Sequence, residues 1–341
     1  MLFEAAGSPR DEAQTVAELL VAANLAGHDS HGVVRIPQYL RNVRRGNIVP
    51  GSHIAMIADH GSVVRVRGQY GYGQVSAREA VALLIERSAS RGVAAVAVAE
   101  MNHCGRLADY CRQGAEAGVL TLMFAASGGF NALMAPFGGA ARRMNTNPIG
   151  VGIPKPGDEP FVFDIATSAT SQGRVKVAVD SGTRIPPNQL IDAKGAPTTD
   201  PMALYREGAI LPFGGEQGYK GYLLNFLVEV LGGILTDGGV MGQPRRQAGG
   251  QCILAIGIDP AAFRPASLFS EELERFAGYL KDTPPLPGQE VLLPGEVSRR
   301  IEAQRGKNGI PLPATTVDAL VADLEHFGLS RDLLNASPEC A

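Results

Sequence analysis

Apolar residues recur along this chain in two alternating rhythms, and the changeovers outline its elements. Residues 10 to 26 carry a helical rhythm that stops at Gly27. Ser8-Pro9 followed by Asp11 reads as an N-cap, a first-turn proline and a capping box in front of it. From residue 54 the rhythm shortens, and IAMIADHGSVVRVRG is β-rich with alternation in VVRVR. SAREAVALLIERSASRG (76–92) returns to helix, with a capping box on Ser76 and Glu79 and a glycine stop. VAAVAVAE reads as a short buried strand, GRLADYCRQGAEAG (105–118) as a glycine-ended helix, and VLTLMFAAS (119–127) as a second buried strand. This alternation predicts an α/β centre.

From 128 to 215 glycine and proline dominate, with short strands such as PFVFDIA (160–166) between loops. YKGYLLNFLVEVLGGIL (219–235) is apolar enough to predict a helix buried on most sides, and CILAIGID (252–259) a strand. SEELERFAGYLKD, GEVSRRIEAQR and ATTVDALVADLEHFG are three more helices. Helical ends around an α/β centre predict a discontinuous architecture. Residues 1–60 and 268–341 would form one helical domain, and 61–267 the α/β domain.

Composition narrows the function classes. A 341-residue chain with 45% hydrophobic and 19% charged residues is an ordinary globular protein with room for two cores. A net charge of −3 gives no footprint for nucleic acid or an anionic membrane. The one dense basic run, RNVRRG (41–46), reads as a solvated helix end. Four cysteines, at 104, 111, 252 and 340, are too few for a disulfide framework, and none has C-x-x-C spacing. No metal site is expected. The N-terminus lacks the pattern of a signal peptide, and VAAVAVA is far too short to span a bilayer, so the expected location is the cytoplasm.

AGHDSHGVVR (26–35) concentrates the chemistry. A Ser-His-Asp triad assembles from residues far apart in sequence, whereas Asp29, Ser30 and His31 are consecutive, and no G-x-S-x-G elbow is present. An N-cap by Asp29 or Ser30, with His31 incidental, is the plain alternative. Arg35 favours function: four residues from His31, it would share a helical face with it, gripping a carboxylate while the histidine moves a proton. His103 sits where a buried strand gives way to a helix, a common ligand position. His28, His53, His60 and His326 have no chemistry beside them.

GQYGYGQVSAREA tempts toward a dinucleotide fingerprint, but Ser76 stands where the third glycine belongs and Glu100 comes late; it reads as a tight turn. APFGGAARRMNTNPIG, FDIATSATSQG and LPFGGEQGYKGY combine close-approach glycines with hydroxyl and amide side chains, which suit phosphate or carboxylate binding. Lys220, between Tyr219 and Tyr222, is either a phosphate or ribose contact or a snorkelling surface lysine. PTTDP (197–201) is turn chemistry.

Together SHGVVRIPQY, NHCGRLADY, APFGG…MNTNPIGVGIP, FDIATS, G-x-P-T-T-D-P, LPFGG…KGY and LPGE…GIPLP occur in an order that resembles the malate/L-lactate dehydrogenase family of the non-Rossmann type. The resemblance spans residues 10 to 315 and covers ureidoglycolate and sulfolactate dehydrogenases, 2,3-diketogulonate reductases and Δ1-piperideine-2-carboxylate reductases. It implies an α/β fold whose non-Rossmann dinucleotide-binding domain is inserted between N- and C-terminal helical segments, and a homodimer. It implies NAD or NADP as cofactor and a 2-hydroxy or 2-oxo acid as substrate. Ser30 and His31 match the family's catalytic pair, Arg35 its substrate-carboxylate arginine and Thr146 a substrate-side position. His103 matches a histidine that competes with His31 for the proton. His103, Gly105, Arg106, Leu107, Ser127, Asp164, Ile165, Ala166, Lys220, Pro294, Gly295 and Glu296 match cofactor contacts.

Two departures discriminate within the family. The imine-reducing branch carries an aspartate near the position of Arg174, which turns the expectation from a cyclic-imine reductase toward a hydroxy-acid dehydrogenase. GEQGYKGY has glutamate, glutamine and tyrosine where many members show a histidine before the lysine. A non-catalytic nucleotide-binding homologue is the alternative of another class.

Overall fold

A computed structural model of the chain describes residues 1–243 and 250–334. Its first helices are α1 (Leu2–Ala5), α2 (Arg10–Leu25) and α3 (Ile36–Arg44). A hairpin of β1 (Ala55–Asp59) and β2 (Val63–Arg67) follows, then α4 (Gly73–Arg91), β3 (Val93–Met101), α5 (Ala108–Glu116) and β4 (Leu120–Ala126). Next come β5 (Pro148–Ile153), β6 (Phe161–Ala166) and α6 (Gln172–Asp180). The short strands β7 (Leu190–Ile191), β8 (Pro197–Thr198) and β9 (Ala209–Ile210) precede α7 (Tyr219–Val228). β10 (Gln251–Ile258), α8 (Ala266–Lys281), α9 (Glu296–Asn308) and α10 (Ala314–His326) complete the order.

Seven strands form one sheet in the order β1-β2-β3-β10-β4-β5-β6, and β8-β7-β9 form a small second sheet. In the large sheet β2 and β3 run parallel, while every other neighbouring pair is antiparallel. This mixed α/β fold is therefore not a doubly wound parallel sheet. Late strand β10 enters between β3 and β4, so the sheet closes only after most of the chain is made.

Valine, alanine and leucine of β2, β3 and β10 meet α4 and α5 in the main core, where Val64, Val96, Val98, Leu84, Leu107 and Ile253 are buried. Glycine permits the close packing: a Cβ on Gly152 would lie 2.1 Å from the Cys111 carbonyl oxygen of α5. A second cluster joins Val16 and Leu20 of α2, Tyr39 and Leu40 of α3, Val75 of α4 and Tyr72 just before it. From the other end of the chain, α9 packs on α2 and α10 on α3.

Several local expectations change. β1 lies inside the stretch assigned to the helical part, yet its pairing with β2 makes it the sheet's edge. Ser8 caps no helix, because its hydroxyl meets the Tyr72 hydroxyl at 3.1 Å. The Ser76–Glu79 capping box also fails: α4 starts three residues earlier, and Glu79 instead takes the Ile54 N–H at 2.9 Å. In each case a tertiary partner outbids the local one. The apolar stretch at 219–235 divides into α7 and a π-helical turn, Glu229–Ile234. It is not buried on most sides, since Leu223, Phe226, Leu227, Ile234 and Leu235 are all exposed.

Candidate active site

AGHDSHGVVR does not form one α-helix. Asp29–His31 and Val33–Arg35 are separate 3-10 turns joined by Gly32 in an extended conformation, and α3 begins at Ile36. His31 and Arg35 therefore lack the expected shared helical face, and neither Asp29 nor Ser30 caps a helix through its side chain. Asn24, in the last turn of α2, imposes this path. Its Oδ1 accepts the Val33 N–H at 2.8 Å, and its Nδ2 donates to Asp29 Oδ1 at 2.6 Å. A Cβ on Gly32 would lie 2.1 Å from Asn24 Oδ1, so glycine is required there.

Tertiary structure supplies what the helix does not. The imidazoles of His31 and His103 stack with centroids 5.3 Å apart and planes within 4°. His103 follows β3, and its Nδ1 lies 2.7 Å from the Tyr39 hydroxyl of α3. Gln74 of α4 donates to that same hydroxyl at 2.9 Å. α4 reaches this position because Gly73 lies against the segment before His103, where a Cβ would sit 2.1 Å from the Asn102 carbonyl oxygen.

Both histidines are held neutral. Burial, and then the Arg35 charge, push the His31 pKa down to about 3; its Nδ1 is buried without a hydrogen-bond partner. Burial, followed by Arg35 and His31, holds His103 well below the usual histidine range. Arg35 is itself partly buried. It donates Nε to the Ser30 carbonyl at 2.6 Å and Nη1 to Gln38 Oε1 at 2.8 Å. Among the described residues no carboxylate pairs with it, and three of its five N–H groups remain free. Ser30 packs on α6, where a Cβ on Gly173 would come 2.5 Å from its own Cβ.

Five expected cofactor residues, Arg106, Asp164, Ile165, Pro294 and Gly295, line a cavity of about 500 Å³ between β6 and the start of α9. Arg112, Arg299 and His28 join them in its wall. Asp164 Oδ2 accepts the Leu107 N–H at 2.6 Å at the start of α5, while burial pushes its pKa up to about 6. Arg106 is paired with Asp109, its Nε 3.2 Å from Oδ2. Gly295 has φ +87°, and a Cβ there would lie 3.1 Å from the Val162 carbonyl oxygen. Gly105, also left-handed at φ +80°, turns the chain from His103 toward α5.

The remaining expected residues do not line this cavity. Glu296 accepts from Lys281 Nζ at 2.7 Å and from the Leu293 N–H. Ala166 pairs with Pro148 in the sheet. Ser127, at the end of β4, has a buried hydroxyl with no partner. Thr146 takes its place through backbone bonds to Asn145 Oδ1 and Thr167. Lys220 is exposed, its ammonium 5.9 Å over the Tyr219 ring. Sequence reasoning missed Tyr39 and Gln74, and it set aside His28 and Asp29. Tyr39 stands four residues after Arg35, the same spacing that drew attention to Arg35 from His31.

The chain matches the malate/L-lactate dehydrogenase family over residues 1–321. Hydroxycarboxylate dehydrogenase B of Escherichia coli O157:H7 is 36% identical over 341 residues, covering 98% of this chain and 93% of that one. Delta(1)-pyrroline-2-carboxylate reductase of Ancylobacter novellus is 32% identical over 337 residues, covering 95% and 93%. The solved structure of sulfolactate dehydrogenase from Methanocaldococcus jannaschii superposes with a TM-score of 0.85 at 30% identity, covering 96% and 94%. With its mixed sheet, its paired histidines and this similarity along nearly its whole length, the chain belongs to the malate/L-lactate dehydrogenase family.

Proposed function

We propose that this protein interconverts a 2-hydroxy acid and a 2-oxo acid with a nicotinamide dinucleotide. One observation carries the reading: a partly buried guanidinium with no carboxylate partner among the described residues, beside two stacked neutral imidazoles. A buried cation without a counter-ion is costly, and a substrate carboxylate removes that cost. The dinucleotide suits the cavity at β6 and α9, where Arg112 and Arg299 would meet its phosphates and Gly295, at φ +87°, lets the chain turn tightly against β6. When bound, it supplies or takes the hydride at C2.

Arg35 fixes the carboxylate and so orients C2. His103 moves the proton of the C2 oxygen, and the chain Gln74–Tyr39–His103 sets its tautomer. To accept at Nε2, His103 must carry hydrogen on Nδ1 and donate it to the Tyr39 oxygen. The Tyr39 oxygen accepts that hydrogen together with one from Gln74 Nε2, and the Tyr39 hydroxyl hydrogen goes to the His103 carbonyl at 3.5 Å. In oxidation the hydroxyl proton passes to His103 Nε2; in reduction the imidazolium returns it. His31, stacked on His103, excludes water from that face, and Ser30 anchors Arg35 through its carbonyl.

Arg174 favours the hydroxy acid over a cyclic imine. It lies in the first turn of α6, next to the Gly173–Ser30 contact, and its charge acts on His28. A cationic iminium is repelled there and an anionic oxo acid is not. The test is a panel of pyruvate, oxaloacetate and Δ1-piperideine-2-carboxylate, each with NADH and NADPH, followed at 340 nm. Turnover of an oxo acid is expected. Turnover of the imine alone makes this protein an imine reductase, and cofactor binding without turnover makes it a non-catalytic homologue.

The exposed apolar face of α7 and its π-turn suits a second copy of the chain, as does α8, in which no residue is buried. Phe226→Glu is expected to shift light-scattering mass from dimer to monomer, and an unchanged mass would move the interface elsewhere. No described helix is long and apolar enough to cross a membrane. The three cysteines among the described residues are free and buried, which suits a reducing compartment, in keeping with a cytoplasmic enzyme.

A further inference from the structure

The turn that carries Ser30 and His31 is bracketed by two residues with no part in the chemistry. Asn24 holds it at both ends, through Asp29 Oδ1 and the Val33 N–H. Arg305 of α9 holds it from outside, with Nη1 2.6 Å from Asp29 Oδ1 and Nη2 3.0 Å from Oδ2, and also donates to the Asn24 carbonyl. The pair joins positions 276 residues apart. The same helix also packs closely just before that turn, where a Cβ on Gly27 would lie 2.9 Å from Ile301 Cδ1. At its other end α9 lines the cavity with Val297, Ser298 and Arg299.

We infer that Arg305 is a positioning residue, whose fork on Asp29 holds the Ser30–His31 turn in register with His103 and Arg35. Asp29 is 50% exposed, so the pair is too open to water to add much stability. What it adds is orientation. A 3-10 turn of three residues has few hydrogen bonds of its own, and Arg35 hangs from the carbonyl of Ser30, the next residue. Loss of the fork leaves Asp29 held by Asn24 alone, and His31 and Arg35 loosen with the turn. The inference rests on the proposed dehydrogenase reading for its kinetic consequence, though not for its structural one.

The experiment compares Arg305→Ala and Arg305→Lys with wild type. The alanine variant is expected to lose about tenfold to a hundredfold in kcat, the cost of a misplaced site. Its Kd for NADH and NADPH by calorimetry should stay within about twofold, since the cavity wall is intact, and its Tm should scarcely move. Lysine, which restores one charged hydrogen bond, should recover part of kcat. Amide hydrogen exchange in residues 26–35 should quicken in the alanine variant. A kcat within about twofold of wild type, or unchanged exchange in that peptide, overturns the inference. If Arg305→Ala does not fold, Asp29→Asn, which keeps the shape and the Asn24 contact, gives the same readouts. If wild type turns over no substrate, the dehydrogenase reading fails alone, and hydrogen exchange still decides the role of Arg305.

Discussion

Arg35→Lys is expected to lower kcat/KM for any 2-oxo acid about a hundredfold, equivalent to about 2.7 kcal/mol of transition-state stabilisation. The charge survives this change, so a purely electrostatic role predicts a small effect. Geometry predicts a large one. Arg35 spends Nε on the Ser30 carbonyl and one Nη1 hydrogen on Gln38, which leaves three N–H groups without a partner among the described residues. A lysine ammonium has three hydrogens on one atom and cannot hold both anchors and a bidentate carboxylate. The loss should appear in KM and kcat together, because the carboxylate grip both binds the substrate and aims C2. Steady-state kinetics with NADH and NADPH checks it, and kinetics within about threefold of wild type would sink the clamp.

His103→Asn should cost about a thousandfold in kcat, in the range of general acid–base catalysis. Tyr39→Phe, which leaves the ring and removes the hydroxyl, should cost about tenfold by releasing the tautomer. His31→Asn should cost less than His103→Asn, since no hydrogen bond orients its Nδ1. The reverse order would give the proton to His31. The pH profile makes a separate check. Burial and the Arg35 charge depress both histidines, so each binds its proton only at a pH well below 6.5 in the free enzyme. As pH falls through 6.5 the base stays neutral, and kcat/KM for hydroxy-acid oxidation should remain level. An acid limb centred near 6.5 would exclude this pair as the base.

How much of the site was legible depended on whether its contacts were local. His31 and Arg35 stood out because their residue types are rare together and four apart. That inference reached the right residues through a helix that does not form, since Asn24 and Gly32 impose two short turns instead. His103 was legible as a strand-to-helix histidine, but its partner Tyr39 is 64 positions away, and Gln74 reaches Tyr39 across 35. The expected cofactor residues divide between the cavity and other places. Arg106, Asp164, Ile165, Pro294 and Gly295 line it, while Lys220 stands on the surface and Ser127 lies at the end of β4.

The sequence by itself determined the strands and helices with strong periodicity, from β3 and β4 through β10 to α8, α9 and α10. β3, β4, β10 and α10 bury one face or most of their residues, α8 and α9 keep a helical rhythm with none fully buried, and such rhythm is a local property of the chain. It also determined the family, because seven motifs in order carry more information than any one. Only the tertiary structure decided which caps form, which apolar face of α7 stays open, and what holds the catalytic turn. Ser8, Glu79 and Asp29 each had a local partner in prospect and took a distant one, in Tyr72, Ile54 and Arg305. A side-chain hydrogen bond goes to the donor or acceptor that packing brings within about 3 Å, and packing is set by contacts that no window of sequence contains.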